Sequence, residues 1–161
     1  MHIWTIEKWI KYLNYDEKQY RTGLRLKFDK DVNSEVKRAC KEFCKWLRTE
    51  YYFPVRIPVY IKSSEKIKAQ DGDLVSGTFL GPFNLNEEPY IRISTGDYEK
   101  LLEKRGKNNA LAAILTSIAH ELTHYFQWIN GIKLTERGEE RQATIYARFI
   151  LDDYKDTRSE P

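Results

Sequence analysis

Apolar residues recur along this chain with two different periods, and the change from one to the other predicts the elements. Ile6, Trp9, Ile10 and Leu13 are spaced for one face of a short amphipathic helix over residues 5–15. Leu24-Arg25-Leu26-Lys27-Phe28 alternates apolar with basic residues, the period of a strand. Residues 31–34 supply turn and N-cap chemistry, and a helix over 34–51 is predicted to follow. Val36, Ala39, Cys40, Phe43 and Leu47 form its apolar stripe and Lys37, Lys41 and Lys45 its wet face. Beyond Pro54, residues 55–61 read as a strand that the internal Pro58 pushes toward a sheet edge or a bulge. Residues 62–74 are polar and loop-like, 75–80 are β-prone, 84–89 form a turn, and 90–94 alternate again as a strand. A short helix over 97–104 ends near Gly106.

The strongest helical pattern covers residues 109–130, where Leu111, Ile114, Leu115, Ile118, Leu122 and Phe126 fall at helical intervals and Gly131 is placed to cap the end. A last helix starts at residue 136 or 138 and runs to 154, with Ala143, Tyr146, Ala147 and Ile150 on its inner face. This order predicts an α+β fold, a small mixed β-sheet packed against helices. With no internal repeat or Gly/Ser linker, residues 1–161 read as one domain with a short polar tail from about residue 155.

Composition removes several classes of function. Hydrophobic residues make up 41% and charged residues 32%, the balance of a chain that buries a core. No run approaches the ~20 apolar residues of a membrane span, so no membrane partner is expected. The net charge is +3, and the most basic stretch, residues 100–107, is broken by Leu101, Leu102 and Glu103. It reads as a solvated helix end rather than a nucleic-acid surface. Glu7 and Lys8 interrupt the first ten residues, unlike the clean apolar centre of a secretory signal. With only two Cys, the expectation is a reducing, cytoplasmic location. Cys40 and Cys44 are one helical turn apart with no further Cys or His nearby, and read as core thiols.

One segment carries chemistry. His120-Glu121-Leu122-Thr123-His124 lies within the strongest helix and holds two of the three histidines. A four-residue spacing puts both imidazoles on one helix face, ~40° apart, where both reach one tetrahedral cation at roughly 2.0–2.1 Å. Glu121 lies ~100° further round, suited to taking a proton from a water in the open metal position. No His follows His124, so the third ligand must be a carboxylate, and the last helix offers Glu139 and Glu140. His2 has no evident partner and receives no role. Tyr125, Trp128, Tyr146, Arg141 and Arg148 lie near enough in sequence to serve an oxyanion, and no spacing rule selects among them.

His120-Glu121-x-x-His124 followed by Glu140-x-x-Ala143 resembles the gluzincin metallopeptidases, whose second helix gives a Glu ligand. The stretch Glu140-Arg141-Gln142-Ala143-Thr144-Ile145-Tyr146-Ala147 is similar to the Glu-x-x-Ala-Asp-x-Phe-Ala pattern of several such families. These include the membrane-bound Ste24-like peptidases, the soluble minigluzincins and the regulatory ImmA/IrrE-like peptidases. The resemblance covers residues 109–154 by motif. It implies a zincin-like fold with an HExxH active-site helix and a following Glu-bearing helix. It further implies Zn²⁺ held by His120, His124 and Glu140, with Glu139 the runner-up. Glu121 would be the general base of a zinc-dependent metallopeptidase acting on a peptide or protein substrate. The alternative is a regulatory or latent zinc-binding protein of the same fold that needs a partner. By the same likeness, the strand over 90–94 would be a sheet edge that pairs with an extended peptide. One departure is Thr144, where the pattern often has an Asp that supports a zinc-ligating His. The oligomeric state has no signature in the sequence.

Overall fold

The computed structural model describes residues 2–11, 23–84 and 87–161. After a 3₁₀ turn over Lys8–Lys11, the elements are β1 (Leu24–Phe28), α1 (Ser34–Glu50), β2 (Ile57–Lys62), β3 (Ile67–Lys68), β4 (Leu74–Val75), β5 (Gly77–Leu80), β6 (Tyr90–Ser94), α2 (Tyr98–Arg105), α3 (Lys107–Ile129) and α4 (Glu136–Lys155). The fold is mixed α+β, with four α-helices among the described residues around a small mixed sheet. The helix predicted over 5–15 is a single 3₁₀ turn where described, and its part beyond residue 11 lies outside the described residues. Among the described residues, no helix is long and apolar enough to cross a membrane.

The main sheet has the order β1-β2-β6-β5. β1, β2 and β6 run parallel, and β5 closes one edge antiparallel to β6. The strand over 90–94 is therefore interior, and the edge belongs to β5 (Gly77–Leu80). β2 is interior too, despite Pro58. The Ile57 N–H donates to the Gly23 carbonyl on the β1 side, so the missing donor of Pro58 falls on the β6 side. Pairing with β6 begins only at Val59, and no ladder bond is lost. Within the polar segment over 62–74, residues 67–68 and 74–75 form a small antiparallel hairpin, β3 with β4.

The helices cover the sheet face on which Val59, Ile61, Ile91 and Ile93 are buried. α1 packs there through Val36, Ala39, Cys40, Phe43 and Leu47. Its N-terminus is capped by the Asn33 side chain, which accepts from the Glu35 and Val36 amides at 2.8 and 3.4 Å. Cys40 and Cys44 are free and buried in this layer. α2 and α3 are separated by Gly106 alone, whose φ of 80° lies in the region that disfavours side chains. α3 is apolar over most of its circumference, as befits a helix enclosed by the sheet, α1, α2 and α4. Residues 3–9 run beside α3. Ile3, Trp4 and Trp9 are buried, the Trp4 indole donates to Thr123 Oγ1 at 2.9 Å, and the Trp9 amide donates to Asn130 Oδ1 at 3.2 Å.

Candidate metal centre

Two helices bring the sequence-predicted ligands together. His120 and His124 are one turn apart on α3, with ring centroids 5.1 Å apart. The turn from Asn130 to Thr135 reverses the chain, aided by Gly131 at φ 62° and an Ile132 amide bond to the Gln127 carbonyl. Thr135 then caps α4, its side chain accepting from the Gly138 amide. The first turn and a half of α4 is thereby laid beside His120 and His124. Glu140 reaches across with one carboxylate oxygen on each imidazole, Oε2 at 3.0 Å from His120 Nε2 and Oε1 at 2.9 Å from His124 Nε2. The ligand-type atoms of the three lie within 4.8 Å of one another, the only such group of three among the described residues. Two imidazoles and one carboxylate, converging through Nε2 and carboxylate oxygen atoms, fit the donor set of a borderline-soft divalent cation such as zinc. The His120 and His124 side chains are 23% and 13% exposed and the Glu140 side chain 58%, so the group opens to solvent on the α4 side.

Glu139 contributes differently. Its carboxylate is not part of the group, but its main-chain carbonyl accepts a hydrogen bond from Gln127 Nε2 at 3.0 Å. Gln127 is 3% exposed, and its Oε1 stands 2.8 Å from His124 Nδ1. Its Nε2 also donates to Gln142 Oε1 at 2.9 Å. Sequence reasoning missed Gln127. It lies three residues beyond His124, hence on the same helix face, and that spacing is the signal that could have found it. Thr144, expected to hold the place of a supporting Asp, is exposed.

Glu121 points away from Glu140 toward β5. It is 8% exposed, and the space for it exists because residue 77 is glycine. A Cβ there would stand 3.2 Å from Glu121 Cγ and 3.0 Å from Ile93 Cδ1. Burial pushes the Glu121 carboxyl up to about 8, with the nearby charge of Glu140 adding to the shift. Burial also holds His120 below the ordinary imidazole range, and His124 reinforces this, so His120 favours the neutral form that binds metals.

Glu121 and His124 line a cleft of about 720 Å³ between the β5 edge and the start of α4. Phe79, Trp128 and Ile132 form its apolar end, and Ala69 and Gln70 of the β3–β4 hairpin reach its rim. The other candidates are occupied elsewhere. Tyr125 is buried, donating to the Val55 carbonyl at 2.6 Å and accepting from the Val55 amide at 3.0 Å. The Trp128 indole donates to the Pro82 carbonyl at 2.8 Å, and Tyr146 packs against His2 and Phe149. His2 is thus not isolated; its Nδ1 accepts from the Trp4 amide at 3.2 Å. Arg141 and Arg148 are exposed on α4. No protein-family model, curated protein or solved structure matches the chain.

Proposed function

We propose that this chain is a zincin-like, zinc-dependent metallopeptidase in which His120, His124 and Glu140 hold Zn²⁺ and Glu121 is the general base. The observation that carries the reading is the convergence of three metal-ligating side chains from two helices beside a buried carboxyl, at the wall of an open cleft. Any one of these features is common. Together they supply a three-protein-ligand site with room for a reacting group, the arrangement of catalytic rather than structural zinc.

When bound, the metal would supply Lewis-acid polarisation of a carbonyl and increased acidity of a water. The chain's own residues do the rest. Burial favours the neutral form of Glu121, and a dication alongside would favour its carboxylate, the form that serves as a base. Its place between α3 and Gly77 restricts it to the cleft side of His120, where it takes a proton from the attacking water and delivers one to the leaving amine. The free edge of β5 offers unpaired backbone groups for an extended peptide, which would receive main-chain bonds whatever its sequence. The apolar end of the cleft around Phe79 and Trp128 suits a hydrophobic side chain of that peptide.

The test is zinc content by elemental analysis together with cleavage of a mixed peptide library, in the wild type and Glu121→Gln. Stoichiometric zinc in both, with cleavage lost only in the variant, is expected. A wild type without zinc, or a variant that cleaves as well as the wild type, refutes the proposal. A second reading, a latent or regulatory zinc protein that needs a partner, is favoured by the 58% exposure of Glu140. Tight zinc binding without cleavage of any library peptide would select it.

A further inference from the structure

We infer that Gln127 is a positioning residue that sets which nitrogen of His124 faces the metal, and that α4 dictates this choice through its main chain. The inference rests on the metal-site reading above. It goes beyond the three ligands by giving α4 a second role, independent of the Glu140 carboxylate.

A short hydrogen-bond chain links α4 to His124, and its polarity is fixed. The Glu139 carbonyl can only accept, so the Gln127 atom 3.0 Å from it must be the donor, Nε2. The reverse amide orientation would set two oxygens against each other there. The second N–H of Nε2 goes to Gln142 Oε1 at 2.9 Å, so both donors of the amide are used. The remaining atom, Oε1, can only accept, and it lies 2.8 Å from His124 Nδ1. Nδ1 must therefore carry a proton, so Nε2 is the nitrogen left to give a lone pair to a metal, in place of its 2.9 Å contact with Glu140 Oε1. That is the nitrogen turned toward His120 and Glu140. Gln127 is 3% exposed, so water has little access to replace any of these bonds. Three of the four hydrogen-bonding capacities of this side chain are used, and together they fix its orientation toward His124. The carbonyl that starts the chain belongs to Glu139, the residue immediately before the third ligand. Docking of α4 on α3 thus delivers Glu140 and fixes the ring of His124 in one event.

The experiment uses the full chain loaded with zinc and ¹⁵N-labelled at histidine. Long-range ¹H–¹⁵N correlation is expected to show His124 with a slowly exchanging Nδ1–H and its Nε2 on the metal; coordination through Nδ1 overturns the inference. Calorimetric titration with zinc then compares variants. Gln127→Leu, which keeps volume but accepts nothing, is expected to weaken zinc binding about 10- to 100-fold and to lose the protected Nδ1–H signal. Gln127→Glu, which still accepts from Nδ1–H, is expected to recover part of both. Wild-type affinity in Gln127→Leu, or equal losses in the Leu and Glu variants, would reduce Gln127 to packing and overturn the inference alone. A wild type that binds no zinc overturns the metal-site reading itself. If Gln127→Leu does not fold, the wild-type spectrum decides.

Discussion

Replacing Glu121 by Gln should make the metal-free protein more stable, and by an amount that depends on pH. The carboxyl has a folded-state pKa of about 8 against 4.5 for the free group, so the folded protein retains a proton that the unfolded chain gives up. Stability must then fall as pH rises from about 4.5 to about 8, the direction opposite to a salt-bridged carboxylate. At 1.36 kcal/mol per unit, the two and a half units between 4.5 and neutrality correspond to a ceiling of about 3 kcal/mol at pH 7. Relaxation around a buried charge reduces such figures, so a gain of about 1–3 kcal/mol is expected for Glu121→Gln at pH 7. Gln keeps the shape that fits against Gly77 and removes only the titration. Urea unfolding in the presence of a chelator should give coincident curves for wild type and variant at pH 4 and separated curves at pH 7.5. Saturating zinc should narrow the gap, because a neighbouring dication favours the carboxylate. Equal stabilisation at both pH values, or none at either, would refute the claim that the cost comes from ionising a buried group. The prediction does not depend on peptidase activity. If activity is also found, Glu121 is a group whose function costs stability.

Three further outcomes follow from the geometry. Glu140→Gln should lower zinc affinity by about 100-fold or more, while Glu139→Gln should change it less than about twofold, because only the main chain of residue 139 is engaged. Calorimetric titration separates the two. Tyr125→Phe should lose about 1–3 kcal/mol in denaturant unfolding, since it leaves both the carbonyl and the amide of Val55 without their buried partner. Cys40 and Cys44 should resist alkylation in the native protein at pH 8 and react only on unfolding, because burial pushes the Cys44 thiol up to about 12 and holds Cys40 well above its usual range.

What was legible in the sequence was local. The stripe Val36–Leu47 fixes α1 because packing repeats every turn, and the structure ends that helix one residue from the predicted boundary. His120 and His124 were legible because a four-residue spacing puts both on one helix face, and Glu139 or Glu140 as the third ligand because a short turn joins the next helix; only the resemblance singled out Glu140. What depended on strand order was not legible. The resemblance makes Tyr90–Ser94 an edge strand, yet β5 lies outside it, and neither segment records its neighbour. Pro58 points to an edge or a bulge, but its missing donor matters only on one side of one residue, which depends on where β6 begins. Gln127 stayed hidden because its partners, the Glu139 carbonyl and Gln142, become neighbours only after α4 docks.

The attachment of Trp4 to Thr123 and of Trp9 to Asn130 has a consequence for how the chain acquires its shape. These contacts span 119 and 121 residues, most of the length of the chain. Closing such loops is slow, and the apolar Ile3, Trp4 and Trp9 must wait without their cover until α3 has been synthesised. Synthesis runs from the N- to the C-terminus, so the flank of the metal-site helix that carries Thr123 and Asn130 is covered by residues made 119 and 121 positions earlier. Folding intermediates should therefore expose indole surface. A late rise in Trp protection, coincident with formation of the zinc site, would mark the moment at which residues 3–9 dock on α3.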